Sequence, residues 1–222
     1  MKFFLSYIII FFPWRLRCLL LVKVWKYEIH PTAKIGLSYI YPKHLIMKAG
    51  SKIGHFNVAI HLDKIEMGEN ACIVRSNWIT GFPTNTNSKH FAHQINRISE
   101  LKMGKESAIT KNHHFDCTNQ IVIGNFVTIA GYHSQFLTHS IDIYENRQNS
   151  KSITIGDYCF VGTNSVILGG TELPAFSVLG ANSLLNKKYV EQYTLYAGVP
   201  AKPAKSIAQD AKYFSRENGF VY

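Results

Sequence analysis

The chain has 222 residues, enough for one large domain or for one domain with a short appendage. Hydrophobic residues make up 46% and charged residues 17%, so intrinsic disorder is excluded by the amount of apolar surface available for burial. The formal charge is +10, but half of it lies in residues 1–26, where five cations meet no acid. The other 196 residues hold 19 basic and 14 acidic side chains, which argues against a nucleic-acid-binding protein.

In chain order, the first feature is the apolar run Phe3–Phe12, interrupted by Pro13-Trp-Arg-Leu-Arg17 and followed by a second run, Leu19–Val22, that stops at Lys23. Neither run approaches the roughly twenty apolar residues of a membrane span, and no small-x-small cleavage site follows. Residues 1–29 therefore read as an apolar, basic helical appendage. It has two readings. It can lie on an anionic membrane with Trp14, Trp25 and Tyr27 at headgroup level, or it can pack on its own protein; the unpartnered cations favour the membrane. The expected location is cytoplasmic and peripheral, on the inner face of the cell membrane. Cys18, Cys72, Cys117 and Cys159 show no metal or disulfide spacing and suit a reducing compartment.

Residues 30–205 carry a period of six. Ile155, Val161, Ile167, Leu173, Leu179 and Leu185 are all aliphatic, and Cys159, Ser165, Thr171, Ser177 and Ser183 place a small residue two positions before each from Val161 onward. Gly156, Gly162 and Gly180 follow three of the aliphatics. Ile35-Gly36, Ile53-Gly54, Met67-Gly68, Met103-Gly104 and Ile123-Gly124 open similar units upstream. So short a repeat predicts a solenoid: each hexad supplies a strand and a corner, and three hexads make one triangular coil around an aliphatic column. The glycine supplies either a positive φ or a close approach. The period fails at residues 80–100 and again at 137–152, so two loops leave the solenoid there, where a site would be built. Residues 206–222 read as a short helix that caps the open end.

The [aliphatic]-Gly-x-x-[small]-x units and the segment Leu195-Tyr-Ala-Gly-Val-Pro-Ala-Lys202 resemble the hexapeptide-repeat acyltransferases, over about residues 30–205. The resemblance implies an all-β, left-handed parallel β-helix that forms homotrimers. It also implies acetyl-CoA as acyl donor, no metal, and a sugar or lipid-linked saccharide as acceptor, in capsule, exopolysaccharide or lipopolysaccharide assembly.

Thr138-His139-Ser-Ile-Asp142 at the second loop is similar to the segment that carries the catalytic histidine of the sugar O-acetyltransferases in this family. An imidazole suits the task, because it can take the proton of a sugar hydroxyl near neutral pH. Asp142 and Asp116 are both candidates to hold its second nitrogen. His114 and His133 are candidates for substrate contact, and Gln135 for an oxyanion donor. The small residues Gly162, Gly180 and Ala181, with Lys202 and Lys205 for phosphates, are candidates to receive coenzyme A between subunits. Two further readings stand beside this one. They are a γ-carbonic-anhydrase-like zinc lyase, whose His-x4-His pattern is missing at His133 and His139, and a catalytically silent scaffold.

Overall fold

The structure is a computed structural model that describes residues 2–221. Three walls of parallel strands form a left-handed parallel β-helix of seven coils. The first coil uses Glu28–Ile29, Lys34–Ile35 and Tyr39–Ile40, one strand for each wall, and each later coil adds one strand to every wall. The fourth coil is Glu100–Met103, Ala108–Lys111 and His114–Asp116; the fifth is Ile121–Ile123, Thr128–Ile129 and Gln135–Leu137.

The period of six is the inward direction of these strands. Ile155, Val161, Ile167, Leu173, Leu179 and Leu185 are all fully buried. On the second wall Ile53, Ile73, Ile109, Ile129, Val161 and Leu179 stand in register from coil to coil. The glycines after the aliphatics serve close approach: a Cβ on Gly162 would meet the backbone nitrogen of Ala181 at 2.5 Å, and one on Gly156 that of Ala175 at 2.4 Å. Positive φ falls elsewhere, three residues after the aliphatic, at Tyr158, Asn164, Gly170, Phe176 and Asn182. Side-chain stacking across coils accompanies that strained backbone, as in the column Phe126, Tyr158, Phe176 and Tyr193, with successive rings 4.6, 5.3 and 5.0 Å apart.

A polar ladder runs beside this apolar column, at the corner that leads into the third wall. The buried residues Ser38, Asn57, Asn77, His113, Ser134, Ser165 and Ser183 each accept a bond from a backbone N–H of the next coil. Each corner N–H thus has a partner in the dry interior, where an unpaired one would be costly.

Helices α1 (Lys2–Ile8) and α2 (Trp14–Trp25) cover the first coil. Ile9 and Leu21 are buried, Ser6 bonds the Tyr39 hydroxyl, and Arg17 is buried with its guanidinium donating to Gly36 O and Ser38 O at 2.6 Å each. The appendage therefore packs on the solenoid through one face, and Arg17 is not a surface cation. Among the described residues no helix is long and apolar enough to cross a membrane.

At the far end Thr194–Gly198 joins the second wall, and Ala201–Ser206 folds back on it antiparallel after Gly198, whose φ of 103° only glycine adopts easily. The expected capping helix is replaced by a short 3-10 turn, Lys212–Ser215, and the tail runs back along the outside of the coils. Tyr213 donates to Cys159 O, Phe214 packs edge-on against Phe176 and Tyr193, and Gly219 N donates to Glu106. The tail thus packs on the aromatic column beside the second wall, whose rings are buried or half-buried beneath it.

Candidate active site

Both irregular loops leave the solenoid at one corner, where the third wall gives way to the first. Residues 81–99 follow the strand Trp78–Thr80 of the third coil. A hairpin of His139–Asp142 and Arg147–Ser150 follows Gln135–Leu137 of the fifth. Between them, on the fourth coil, lies Asp116.

Thr138 anchors the hairpin: its hydroxyl donates to Asp116 O at 2.7 Å and accepts from Asn119 N at 2.9 Å. Asp116 Oδ1 accepts from Thr118 N and Oγ1, at 3.0 and 2.7 Å. Its Oδ2 accepts from His139 N at 3.1 Å and lies 3.8 Å from His139 Nδ1. His139 is 41% exposed and Asp116 15%, so a fixed carboxylate faces an imidazole open to solvent. Across the hairpin Nε2 stands 2.5 Å from the Gln148 side-chain oxygen, an acceptor, so in this arrangement Nε2 carries the proton and donates it to Gln148. A half-turn of the amide would instead offer its NH2 to Nε2 and leave the ring proton on Nδ1, beside Asp116. Phe91 of the first loop packs edge-on against the imidazole, centroids 5.6 Å apart.

The first loop is riveted to this corner. Arg97 donates to Phe82 O, Pro83 O and Thr118 O and lies 4.7 Å from the Phe91 ring centroid. Gln94 donates to Asn149 Oδ1 at 2.9 Å and accepts from the Ser150 hydroxyl at 2.6 Å, which joins the two loops. Between Thr84 and Arg97 a cavity of about 410 Å³ opens, with Asn85, Ser88, His90 and Gln94 in its polar lining.

The other candidates take different places. Asp142 is at the hairpin turn, where its carboxylate accepts from Tyr144 N and Glu145 N at 3.1 Å each. His114 and Gln135 are paired in register on the outer face of the third wall, on the same face as Asp116. His133 lies at the opposite edge of that wall, with positive φ and its ring against Tyr132. Gly162, Gly180 and Ala181 share that second edge one and two coils further on. Lys202 and Lys205 are exposed on the last strand. Six residues of extended chain, roughly 20 Å at most, separate His133 from His139. One chain thus carries a basic corner and a small-residue corner on opposite edges of one wall.

Phe91, Gln94, Arg97 and Gln148 were not singled out from sequence; the broken period marked their loops but not the contacts between them. Cysteine chemistry has no place here. Burial pushes the Cys159 thiol up to about 12 and holds that of Cys117 well above its ordinary value, with Asp116 adding to the shift. Among the described residues of this one chain, no three His, Cys, Asp or Glu side chains are grouped to hold a metal ion.

No protein-family model and no curated protein matches the sequence. Among solved structures, a hexapeptide-repeat-containing acetyltransferase from Vibrio cholerae is 28% identical, with 64% of this chain and 73% of that chain covered and a TM-score of 0.50. The polySia-specific acetyltransferase NeuO is 20% identical over 81% of this chain and 80% of its own, TM-score 0.52. A mutant of AntD, an N-acyltransferase from Bacillus cereus, solved with dTDP and coenzyme A, is 13% identical over 82% and 84%, TM-score 0.57. The last two are likenesses of fold.

Proposed function

We propose that this chain, a left-handed β-helix whose solved likenesses are hexapeptide-repeat acetyltransferases, moves an acetyl group from acetyl-CoA to a sugar hydroxyl in surface polysaccharide assembly. The single observation that carries the reading is the pair His139–Asp116, placed where both loops leave the solenoid and open to solvent on the imidazole side.

In this reading Asp116 keeps the Nδ1 proton in place and His139 Nε2 takes the proton of the acceptor hydroxyl. The freed oxygen attacks the thioester carbonyl, a C–O bond forms and the C–S bond breaks, and the proton passes from His139 to the departing thiolate. Between those steps the oxyanion needs a donor, a backbone amide or the Gln135 side chain. The polar cavity of the first loop, beside Phe91, suits a hydroxyl-rich acceptor.

The donor end fits the small-residue corner. In this reading a pantetheine arm lies along the edge of Gly162 and Gly180-Ala181, where the coils approach backbone to backbone, and Lys202 and Lys205 add positive charge on the final strand. That corner and His139 lie on opposite edges of one wall, so a complete site needs the base of one protomer beside the small-residue corner of another. This supports a cyclic assembly, and we read it as a homotrimer.

The test is transfer of labelled acetyl from acetyl-CoA to a panel of saccharides, lipid-linked oligosaccharides and amino sugars. His139→Ala should lower kcat by roughly a hundred- to ten-thousandfold. Unchanged turnover in that variant removes His139 from the mechanism, and transfer only to amines overturns the hydroxyl acceptor.

A further inference from the structure

The N-terminal helices leave a surface that acyl transfer does not use. Seating Arg17 and Leu21 against the first coil turns the opposite face of α2 outward, and Arg15, Leu19 and Val22 follow one another there at helical spacing, with exposed Lys26 at the C-terminal cap. Leu16 and Lys23 flank them. α1 and the turn after it add Ile8, 56% exposed, and Phe11, 79% exposed. Large apolar side chains in such a cluster are unfavourable in water, and the solenoid below cannot cover them, since α2 already lies between them and the first coil.

Charge decides what covers them. The chain has no acid before Glu28, and Arg15, Lys23 and Lys26 are all exposed around the apolar stripe. Beside the stripe a cleft of about 760 Å³ is lined by Trp14, Leu19 and Val22 together with Arg15, Lys23 and Lys34. Apolar side chains interleaved with cations, and with no acid among them, match an amphiphile with a negative head. They do not match a second copy of the same surface, which would set these cations against one another.

We infer that residues 4–26 are a docking surface for an anionic lipid bilayer. Phe11, Leu16, Leu19 and Val22 enter the headgroup layer, and Arg15, Lys23, Lys26 and Lys34 meet the lipid phosphates. The first coil faces the membrane and the later coils stand away from it. The inference is independent of the acyl-transfer chemistry, because its readout is binding.

The full chain is sedimented with vesicles of phosphatidylcholine alone and of phosphatidylcholine mixed with phosphatidylglycerol, at low and high salt. Binding to the mixed vesicles that weakens with salt is expected, with little binding to the neutral ones. The combined change Arg15→Gln, Lys23→Gln and Lys26→Gln should weaken binding roughly a hundredfold. Phe11→Ser with Leu19→Ser should abolish it while the thermal melt changes little, Phe11 being 79% and Leu19 48% exposed. Equal binding to neutral vesicles overturns the inference, as does undiminished binding by either variant. Lipid-independent self-association that disappears in Phe11→Ser with Leu19→Ser also overturns it, by naming a second copy as the occupant.

Discussion

Asp116 accepts three hydrogen bonds before it meets the imidazole, and each fixes its carboxylate from a different direction. In the proposed reaction it acts only through His139, which makes it a positioning residue there, and Asp116→Asn should lower kcat roughly ten- to a hundredfold with little change in KM. A parallel loss in KM would mean a role in binding instead. His113, one residue from the His114 noted in the sequence, belongs to the polar ladder and not to the site. Its Nδ1 accepts from Ser134 N and its Nε2 meets Thr110 Oγ1, which fixes a neutral tautomer. Burial, helped by His133, pushes its pKa down from 6.5 to about 4. The unfolded chain therefore binds the extra proton between those values. The stability this residue contributes is whole above pH 6.5 and is lost as pH falls toward 4, on the order of 3 kcal/mol in all. Asn57 and Asn77 hold the same ladder position in earlier coils, so His113→Asn should keep the bond to Ser134 and flatten that fall, measured by urea unfolding at pH 7 and pH 5.

At the scale of the elements, the coils pack by backbone approach. A Cβ on Gly54 would lie 1.9 Å from Val74 O, whereas one on Gly180 would meet nothing nearer than Ala197 Cβ at 3.1 Å. Gly54→Ala should cost roughly 2–3 kcal/mol and Gly180→Ala well under 1, read from paired thermal melts. The coils were legible in advance because one inward aliphatic per hexad leaves a period that tertiary context does not disturb, as Ile155 to Leu185 demonstrates. The tail was not, since Phe214 and Arg216 read as helix residues until the ring column beside them is known. The same limit applies to the site. Thr138 and His139 directly follow Leu137, the register partner of Asp116, and could be named from sequence, but the choice between Asp116 and Asp142 depended on which coil edge the hairpin turned toward. The bond from Gln94 to Asn149, 55 residues apart, joins two aperiodic loops and left no pattern to read.

For the whole molecule, the separation of the basic corner from the small-residue corner makes assembly part of the proposed chemistry. Sedimentation should give a trimer. A mixture of His139→Ala with Ala181→Trp, each inactive alone, should recover about a quarter of wild-type turnover after subunit exchange, because a site needs one good corner from each of two neighbours. No recovery, with exchange demonstrated, would place the whole site within one chain.

The stacking of coils has a last consequence, which concerns height. Each coil adds one strand spacing, about 4.8 Å, so the fifth coil with its His139 stands roughly 19 Å from the first. If the outer face of α2 docks on a bilayer beneath the first coil, the solenoid would work as a measuring stick. It would pass over a sugar joined directly to a lipid and acetylate one held farther out by the units between. Inserting one coil between the first and the third should move the preferred position outward by about 5 Å, the length of roughly one sugar unit.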